Sequence, residues 1–199
     1  SGGCLTESQL DTPIDFDNLV KLGSMMGSGG MIVLDEDNCM VDVARFYLDF
    51  IVDESCGKCT PCRIGTKRLL EMLDKITKGE GTLELLDEME ELCYHIKNDS
   101  LCGLGQTAPN PVLSTLAQFK DEYIAHVVDK KCPAHVCKDL LTYEIVEDAC
   151  KKCGLCAKKC PVNAITGVLG KEPYVIDAEA CIKCGACFTA CRFNAVDRV

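Results

Sequence analysis

Apolar residues recur at helical spacing through the middle of the chain. Val43, Phe46, Tyr47, Phe50 and Ile51 fall at intervals of three and four, as do Leu69, Leu70, Leu73 and Ile76. Leu85, Leu86, Met89, Leu92 and Ile96 make a third stripe. Val112, Leu113, Leu116, Phe119, Tyr123 and Val127 make a fourth. This period marks helices that bury one face. Asn110 as N-cap and Pro111 at the first helical position open the fourth. Amphipathic segments with short links over residues 39–128 predict a four-helix bundle around one core.

The pattern changes on either side. Met31-Ile32-Val33-Leu34 is a compact apolar run of strand length, entered from the loop Gly27-Ser28-Gly29-Gly30. The acidic Asp35-Glu36-Asp37-Asn38 then reads as a turn and a helix start. Residues 1–38 therefore look like a chain end with short strands, and the opening Ser1-Gly2-Gly3 looks like the start of a piece of a longer chain. Residues 129–141 form a linker. Residues 142–199 hold an internal repeat: Cys150-Lys-Lys-Cys-Gly-Leu-Cys-Ala-Lys-Lys-Cys160 recurs 31 residues later as Cys181-Ile-Lys-Cys-Gly-Ala-Cys-Phe-Thr-Ala-Cys191. Each copy is followed by an Asn-Ala pair in phase, Asn163-Ala164 and Asn194-Ala195. Two units too small to fold alone imply a pseudo-symmetric pair sharing one core. The fold class is α+β: a helical-bundle domain, then a small repeat domain, with a short β remnant at the N-terminus.

Composition turns this outline toward metal. The 199 residues include 17 cysteines. Disulfide scaffolds are usually short secreted chains without a core. This chain is longer, has an odd cysteine count and shows no basic-then-apolar export signal at its start. Thiols in a reducing, cytoplasmic setting and metal ligation are favoured. No apolar run approaches the ~18 residues of a membrane span. Net charge is −10, which argues against a broad nucleic-acid surface. It is uneven: −9 over 1–54, −3 over 55–128 and +2 over 129–199.

The repeat spells C-x2-C-x2-C-x3-C twice. Three thiolates at such gaps can wrap one iron–sulfur cube, and in two-cluster ferredoxins the fourth Cys serves the opposite cube. This assigns Cys150, Cys153, Cys156 and Cys191 to one [4Fe–4S] cluster, and Cys181, Cys184, Cys187 and Cys160 to the other. Zinc sites use separated ligand pairs and fit poorly. A third C-x2-C-x2-C run, Cys56-Gly-Lys-Cys59-Thr-Pro-Cys62, lies where the second helix begins. Cys102 is its natural fourth ligand, because the intervening helices can fold back as a hairpin. Cys93 competes, but inside an amphipathic stripe it reads as a buried free thiol.

Residues 142–199 resemble the bacterial two-[4Fe–4S] ferredoxins, with Pro161 matching the Cys-Pro that ends the motif and Arg192 standing in its place in the second run. Glu54-Ser-Cys-Gly-Lys-Cys-Thr-Pro-Cys-Arg63, with Ser100-Leu-Cys-Gly-Leu-Gly-Gln-Thr-Ala-Pro-Asn-Pro111, resembles the C-terminal cluster domain of the flavin- and NADH-binding subunit of respiratory complex I. That family uses four cysteines for a [4Fe–4S] cluster, which map onto Cys56, Cys59, Cys62 and Cys102. The similarity reaches back through Met31-Ile-Val-Leu-Asp35 to Gly2-Gly3-Cys4, a stretch that in the family closes a β-grasp-like domain. Subunits carrying this domain and a C-terminal ferredoxin are those of multimeric NAD(P)-linked [FeFe] hydrogenases. The chain resembles their beta subunit along essentially its whole length. NAD-dependent formate dehydrogenase subunits are related.

Between the two regions lies His126-Val-Val-Asp-Lys-Lys-Cys132-Pro-Ala-His135-Val-Cys137. Two Cys and a nearby His supply three ligands of a zinc site. His126 is favoured over His135, because a His between two ligating cysteines of a tight loop is forced away. The fourth ligand is Cys39 or Cys93; the resemblance, which includes Asp35-Glu-Asp-Asn-Cys39-Met, favours Cys39. Such an ion would be structural, stapling the linker to the bundle.

No G-x-G-x-x-G follows a strand. Gly103-Leu-Gly105 reads as a turn hugging a cluster, and His95 as a structural helix residue. No catalytic residue is expected in this chain. The resemblance places FMN and NAD(P)H sites upstream of residue 1. It implies electron transfer between a flavin site and partners: a hydrogenase catalytic subunit, a small thioredoxin-like iron–sulfur subunit and soluble ferredoxin, with electron bifurcation possible in the family. The reading from another class is a zinc-rich docking module.

Overall fold

A computed structural model describes residues 2–199. The chain divides into two compact units, Ser1–Cys137 and Lys138–Val199. Among the described residues, no helix is long and apolar enough to cross a membrane.

In the first unit, the segment before residue 39 holds a 3-10 turn, Glu7–Gln9, and a short helix α1, Phe16–Lys21, capped by the Asp15 side chain on the Asn18 N–H at 2.8 Å. It contains no strand among the described residues, which corrects the expected β remnant. Met31, Ile32 and Val33 are exposed. The physical reason is the missing neighbour: an extended run with nothing to pair against leaves its N–H and C=O groups to water.

The long helices are α2 (Met40–Glu54), α3 (Thr66–Thr77), α4 (Leu83–Asp99) and α6 (Asn110–Gln118), with a short α5 (Gly103–Thr107) before α6. Their core is Val41, Ala44, Leu48 and Ile51 of α2, Leu69, Leu73 and Ile76 of α3, and Leu86, Met89, Cys93 and Ile96 of α4, joined by Val112 and Leu116 of α6. The α2 face differs from the expected stripe. Phe46 is 64% and Phe50 57% exposed, and the helix buries a rotated face of smaller residues instead. Its most extensive neighbour is α3, followed by α6.

The fourth stripe is not one helix. It breaks at Phe119 (φ −127, ψ 38), restarts as α7 (Lys120–Ile124) and ends in a π-helical turn, Ala125–Asp129. Pro109 takes the cap position, with Asn110 first in α6 and Pro111 second. The break frees the 120–129 segment to make its own contacts. Glu122 Oε2 accepts from the Met40 N–H at 3.0 Å, capping α2, and Tyr123 Oη meets Thr115 Oγ1 at 2.8 Å in the core.

The second unit is two strand pairs and two short helices. Strand β1 (Tyr143–Ile145) pairs antiparallel with β4 (Val196–Arg198), and β2 (Ile165–Thr166) with β3 (Val175–Ile176). Helices α8 (Leu155–Lys159) and α9 (Ala186–Ala190) pack together. The register obeys the 31-residue repeat: Ile145 faces Val196 as Ile165 faces Ile176. The core repeats likewise, pairing Cys156 with Cys187, Ile165 with Val196 and Tyr143 with Tyr174.

Candidate metal and cluster sites

Cys39, His126, Cys132 and Cys137 come together, all buried, with their ligand atoms within 4.8 Å of one another. Cys39 sits at the N-cap of α2, His126 in the π-turn, and the two other cysteines in the loop beyond it. His126 Nε2 lies 3.4 Å from Cys39 Sγ and 3.4 Å from Cys137 Sγ, and these two sulfurs are 3.8 Å apart. The His126 Nδ1–H donates to the Glu122 carbonyl at 2.7 Å. This fixes the tautomer that leaves Nε2 facing the thiols, as outer-shell partners do for metal-ligating histidines. The Val136 N–H points at Cys132 Sγ at 3.4 Å.

The electrostatics call for a cation. With only protons to share, Cys137 and Cys39 beside it hold Cys132 far below the ordinary thiol range, while Cys132 and Cys39 raise Cys137. Burial opposes a charged His126, but contact with Cys132 and Cys39 outweighs it and pushes the imidazole up to about 10. Three sulfurs and one imidazole, buried at this spacing, fit a closed four-ligand zinc site. His135 and Cys93 are not in the set. His135 sits in the loop with φ 52, and its Nδ1 is buried without a partner. Cys93 is fully buried in α4, and burial pushes its thiol up to about 12.

The repeat unit contains two cavities. One is lined by Cys150, Cys153, Cys156 and Cys191, the other by Cys181, Cys184, Cys187 and Cys160. Each therefore takes three thiols from one run and the fourth from the other. Open mouths included, they hold about 320 and 290 Å3, near equality that suits a repeated ligand. Cys160 and Cys191 receive matching bonds from the backbone, Ala164 N–H and Ala195 N–H each at 3.3 Å from sulfur. Lys152 and Lys183 both have φ 55, and Asn163 and Asn194 have φ 55 and 50. These left-handed residues curl the loops and aim N–H groups at sulfur. Gly154 and Gly185, also left-handed at φ 70 and 73, lie against Tyr174 and Tyr143. A Cβ there would stand 2.6 Å from Tyr174 Oη and 3.0 Å from Tyr143 Oη, respectively. The cysteine motif does not single out these two tyrosines; their 31-residue separation is the signal that could have found them.

The third set is positioned by the turn before α5. Cys62 lies in a π-helical turn, Pro61–Gly65, and Cys102 at the N-cap of α5. A Cβ on Gly105 would stand 3.1 Å from Cys62 Cβ, so α5 lies against the cysteine loop. Gly103-Leu104-Gly105 is thus the first turn of a helix rather than an irregular turn. The Leu101 N–H, facing Cys59, is the main influence holding its thiol below the ordinary value, with the Cys62 N–H next. Ser55 Oγ is 3.3 Å from Cys62 Sγ. Ser100, only 4% exposed, leans toward this loop but keeps its Oγ buried with no protein atom in hydrogen-bond geometry. An orphaned hydroxyl beside a thiol set fits a sulfur-rich guest that completes its bonding. Cysteine spacing gives no signal for either serine. His95 is exposed on α4 between Glu91 and Asp99, at 3.9 and 3.5 Å.

Residues 42–126 match the NADH-ubiquinone oxidoreductase-F iron–sulfur binding region, and residues 149–196 match the 4Fe–4S dicluster domain. The chain thus carries a segment similar to the F-type iron–sulfur binding region, followed by one similar to a dicluster domain. It is 59% identical over 174 residues to the NADP-reducing hydrogenase subunit HndC of Solidesulfovibrio fructosivorans, covering 87% of this chain and 35% of that protein. The F 2 component of NADH-quinone oxidoreductase from Rhizobium meliloti is 39% identical over 135 residues, covering 68% of this chain and 32% of that protein. The solved NAD+-reducing [NiFe]-hydrogenase in the H2-reduced state matches with a TM-score of 0.57 at 30% identity, covering 63% of this chain and 21% of its own. The chain spans about a third of the length of the curated relatives it matches.

Proposed function

We propose that this chain is the electron-transfer module of an NAD(P)-linked hydrogenase or related NADH-dependent oxidoreductase. It holds three [4Fe–4S] clusters and one structural zinc. The observation that carries the reading is the pair of cavities, each lined by four cysteines drawn crosswise from the two runs. Such cubes supply reversible one-electron storage. The chain's own residues do the rest. Cys150, Cys153, Cys156 and Cys191 anchor one cube, Cys181, Cys184, Cys187 and Cys160 the second, and Cys56, Cys59, Cys62 and Cys102 the third. Backbone N–H groups at Cys160, Cys191 and Cys59 offset thiolate charge, one of the protein's levers on potential. Tyr143 and Tyr174 cover the loops of the paired sites.

Cys39, His126, Cys132 and Cys137 hold zinc with four protein ligands, leaving no open position for catalysis. The resemblance to hydrogenase and complex I subunits supports FMN and NAD(P)H sites elsewhere in the assembly. It also supports a hydrogenase subunit, a small thioredoxin-like iron–sulfur subunit or soluble ferredoxin as electron partners.

Metal analysis with EPR on anaerobically purified protein tests the proposal. About 12 Fe and 12 sulfide per chain are expected, four of each per cube. Cys102→Ser should remove one reduced-cluster signal and spare the ferredoxin pair. Fewer than about eight Fe with no reduced-cluster signal would refute the reading, and survival of all three signals in Cys102→Ser would refute that ligand set.

A further inference from the structure

Each of the three C-x2-C-x2-C runs is preceded by a small residue: Ser55 before Cys56, Ala149 before Cys150 and Ala180 before Cys181. The first of these alone carries a side-chain donor. Ser55 follows directly on α2, and its Oγ lies 3.3 Å from Cys62 Sγ. In the repeat unit the sulfurs of Cys160, Cys181 and Cys191 meet backbone N–H groups, from Ala164, Lys183 and Ala195 at 3.3, 3.4 and 3.3 Å. Among the described residues, no side-chain hydroxyl bonds a cysteine of either paired site.

Two partners set the direction of the Ser55 hydroxyl. The Gly57 N–H donates to Ser55 Oγ at 3.4 Å and takes up an acceptor position. A hydroxyl has one proton and two lone pairs, so the O–H is left for Cys62. A ligating Cys62 is a thiolate and can only accept. A serine that served the turn alone would need the Gly57 bond and nothing more. Cys62 is also the sulfur at which a donor counts most. It is 4% exposed, whereas Cys56 and Cys102 are open to water. A hydrogen bond is electrostatically stronger where water does not compete. Thr66 Oγ1 donates to the Cys62 carbonyl at 2.6 Å and holds this cysteine in its π-helical turn.

We propose that Ser55 acts through Cys62 to raise the reduction potential of the Cys56/59/62/102 site. The inference rests on the cluster reading above. Reduction adds one electron to the site and breaks no bond. The added negative charge spreads in part onto the ligand sulfurs. A donor at a sulfur therefore stabilises the reduced state more than the oxidised one. Alanine stands at the matching position of the paired sites, so the effect is confined to one site of three.

The test is an EPR-monitored redox titration of the complete chain, loaded with clusters anaerobically. The signal of this site is identified by its loss in Cys102→Ser. Ser55→Ala should shift the site about tenfold toward the oxidised form at a fixed potential, which for one electron is about 59 mV. The two other signals should stay in place, and iron content should equal that of the unsubstituted protein. Ser55→Thr keeps the hydroxyl and should stay within about threefold of the unsubstituted ratio. Ser55→Val has the shape of threonine without the hydroxyl and should shift as alanine does. Should Ser55→Ala fail to fold or load, the Thr and Val variants carry the same expectation between them. An unshifted potential in Ser55→Ala, equal potentials in the Thr and Val variants, an equal shift at all three sites, or loss of this site's iron in every variant would overturn the proposal. The two failures are separable. Unsubstituted protein without a signal from this site refutes the cluster reading, while an intact signal at an unshifted potential refutes the role of Ser55 alone.

Discussion

Ser100 illustrates how a single buried atom reports on chemistry. Its hydroxyl is buried close to Cys62 with no protein atom in hydrogen-bond geometry. A buried unsatisfied hydroxyl costs about 1–3 kcal/mol, so its retention suggests a sulfur acceptor. Hydrogen bonds to cluster sulfurs favour the reduced, more negative state. Ser100→Ala should therefore lower the reduction potential of the Cys56/59/62/102 site and leave its iron content unchanged, as measured by EPR-monitored redox titration; an unaltered potential would remove Ser100 from this role. Gly154 makes a complementary point in the repeat unit. Alanine there meets a left-handed backbone, costing about 1–2 kcal/mol, and also Tyr174 Oη. Gly170 has nearly the same φ but nothing within 4 Å. Gly154→Ala should lower the melting midpoint of this unit by about 5 °C or more and by more than Gly170→Ala does. Equal shifts would show that the tyrosine lid imposes no constraint.

At the scale of elements, the Cys39/His126/Cys132/Cys137 set ties together three segments: the start of α2, the π-turn after α7, and the loop to residue 137. The broken helix is what places His126, because α7 is free to leave the direction of α6 at Phe119. His126→Ala should reduce bound zinc from about one per chain to well under half and lower the thermal midpoint, whereas His135→Ala should keep the ion. Zinc retained in His126→Ala and lost in His135→Ala would reverse the assignment. The same elements show how much is legible in the chain. Cysteine spacing and the 31-residue repeat are readable because ligand geometry dictates them. The grouping of Cys39 with His126 needs a resemblance, since 87 residues separate them. The buried face of α2 is not readable from hydrophobicity: Phe46 and Phe50 are more hydrophobic than Ala44, yet the helix buries Val41, Ala44, Leu48 and Ile51 and leaves both rings exposed. The expected strand at Met31–Leu34 fails because strand propensity says nothing about whether a partner strand exists.

For the whole molecule, the cysteines divide into sets with distinct geometry: a tight buried tetrad suited to one ion, two mirrored cavities suited to cubes, and a looser thiol loop against α5. Cys93 remains a core thiol, and Cys4, its thiol raised by burial, bonds through its N–H to Ser114 Oγ. Acidic charge concentrates at the front of the chain and exposed lysines in the first half of the repeat. Anomalous diffraction from crystals of the anaerobically prepared protein, collected at the iron and zinc edges, can separate the thiols by metal. Three iron sites are expected, one within each of Cys56/59/62/102, Cys150/153/156/191 and Cys181/184/187/160, and one zinc site among Cys39, His126, Cys132 and Cys137. Zinc in the paired cavities, or iron ligated by four cysteines of a single run, would refute this division of the cysteines.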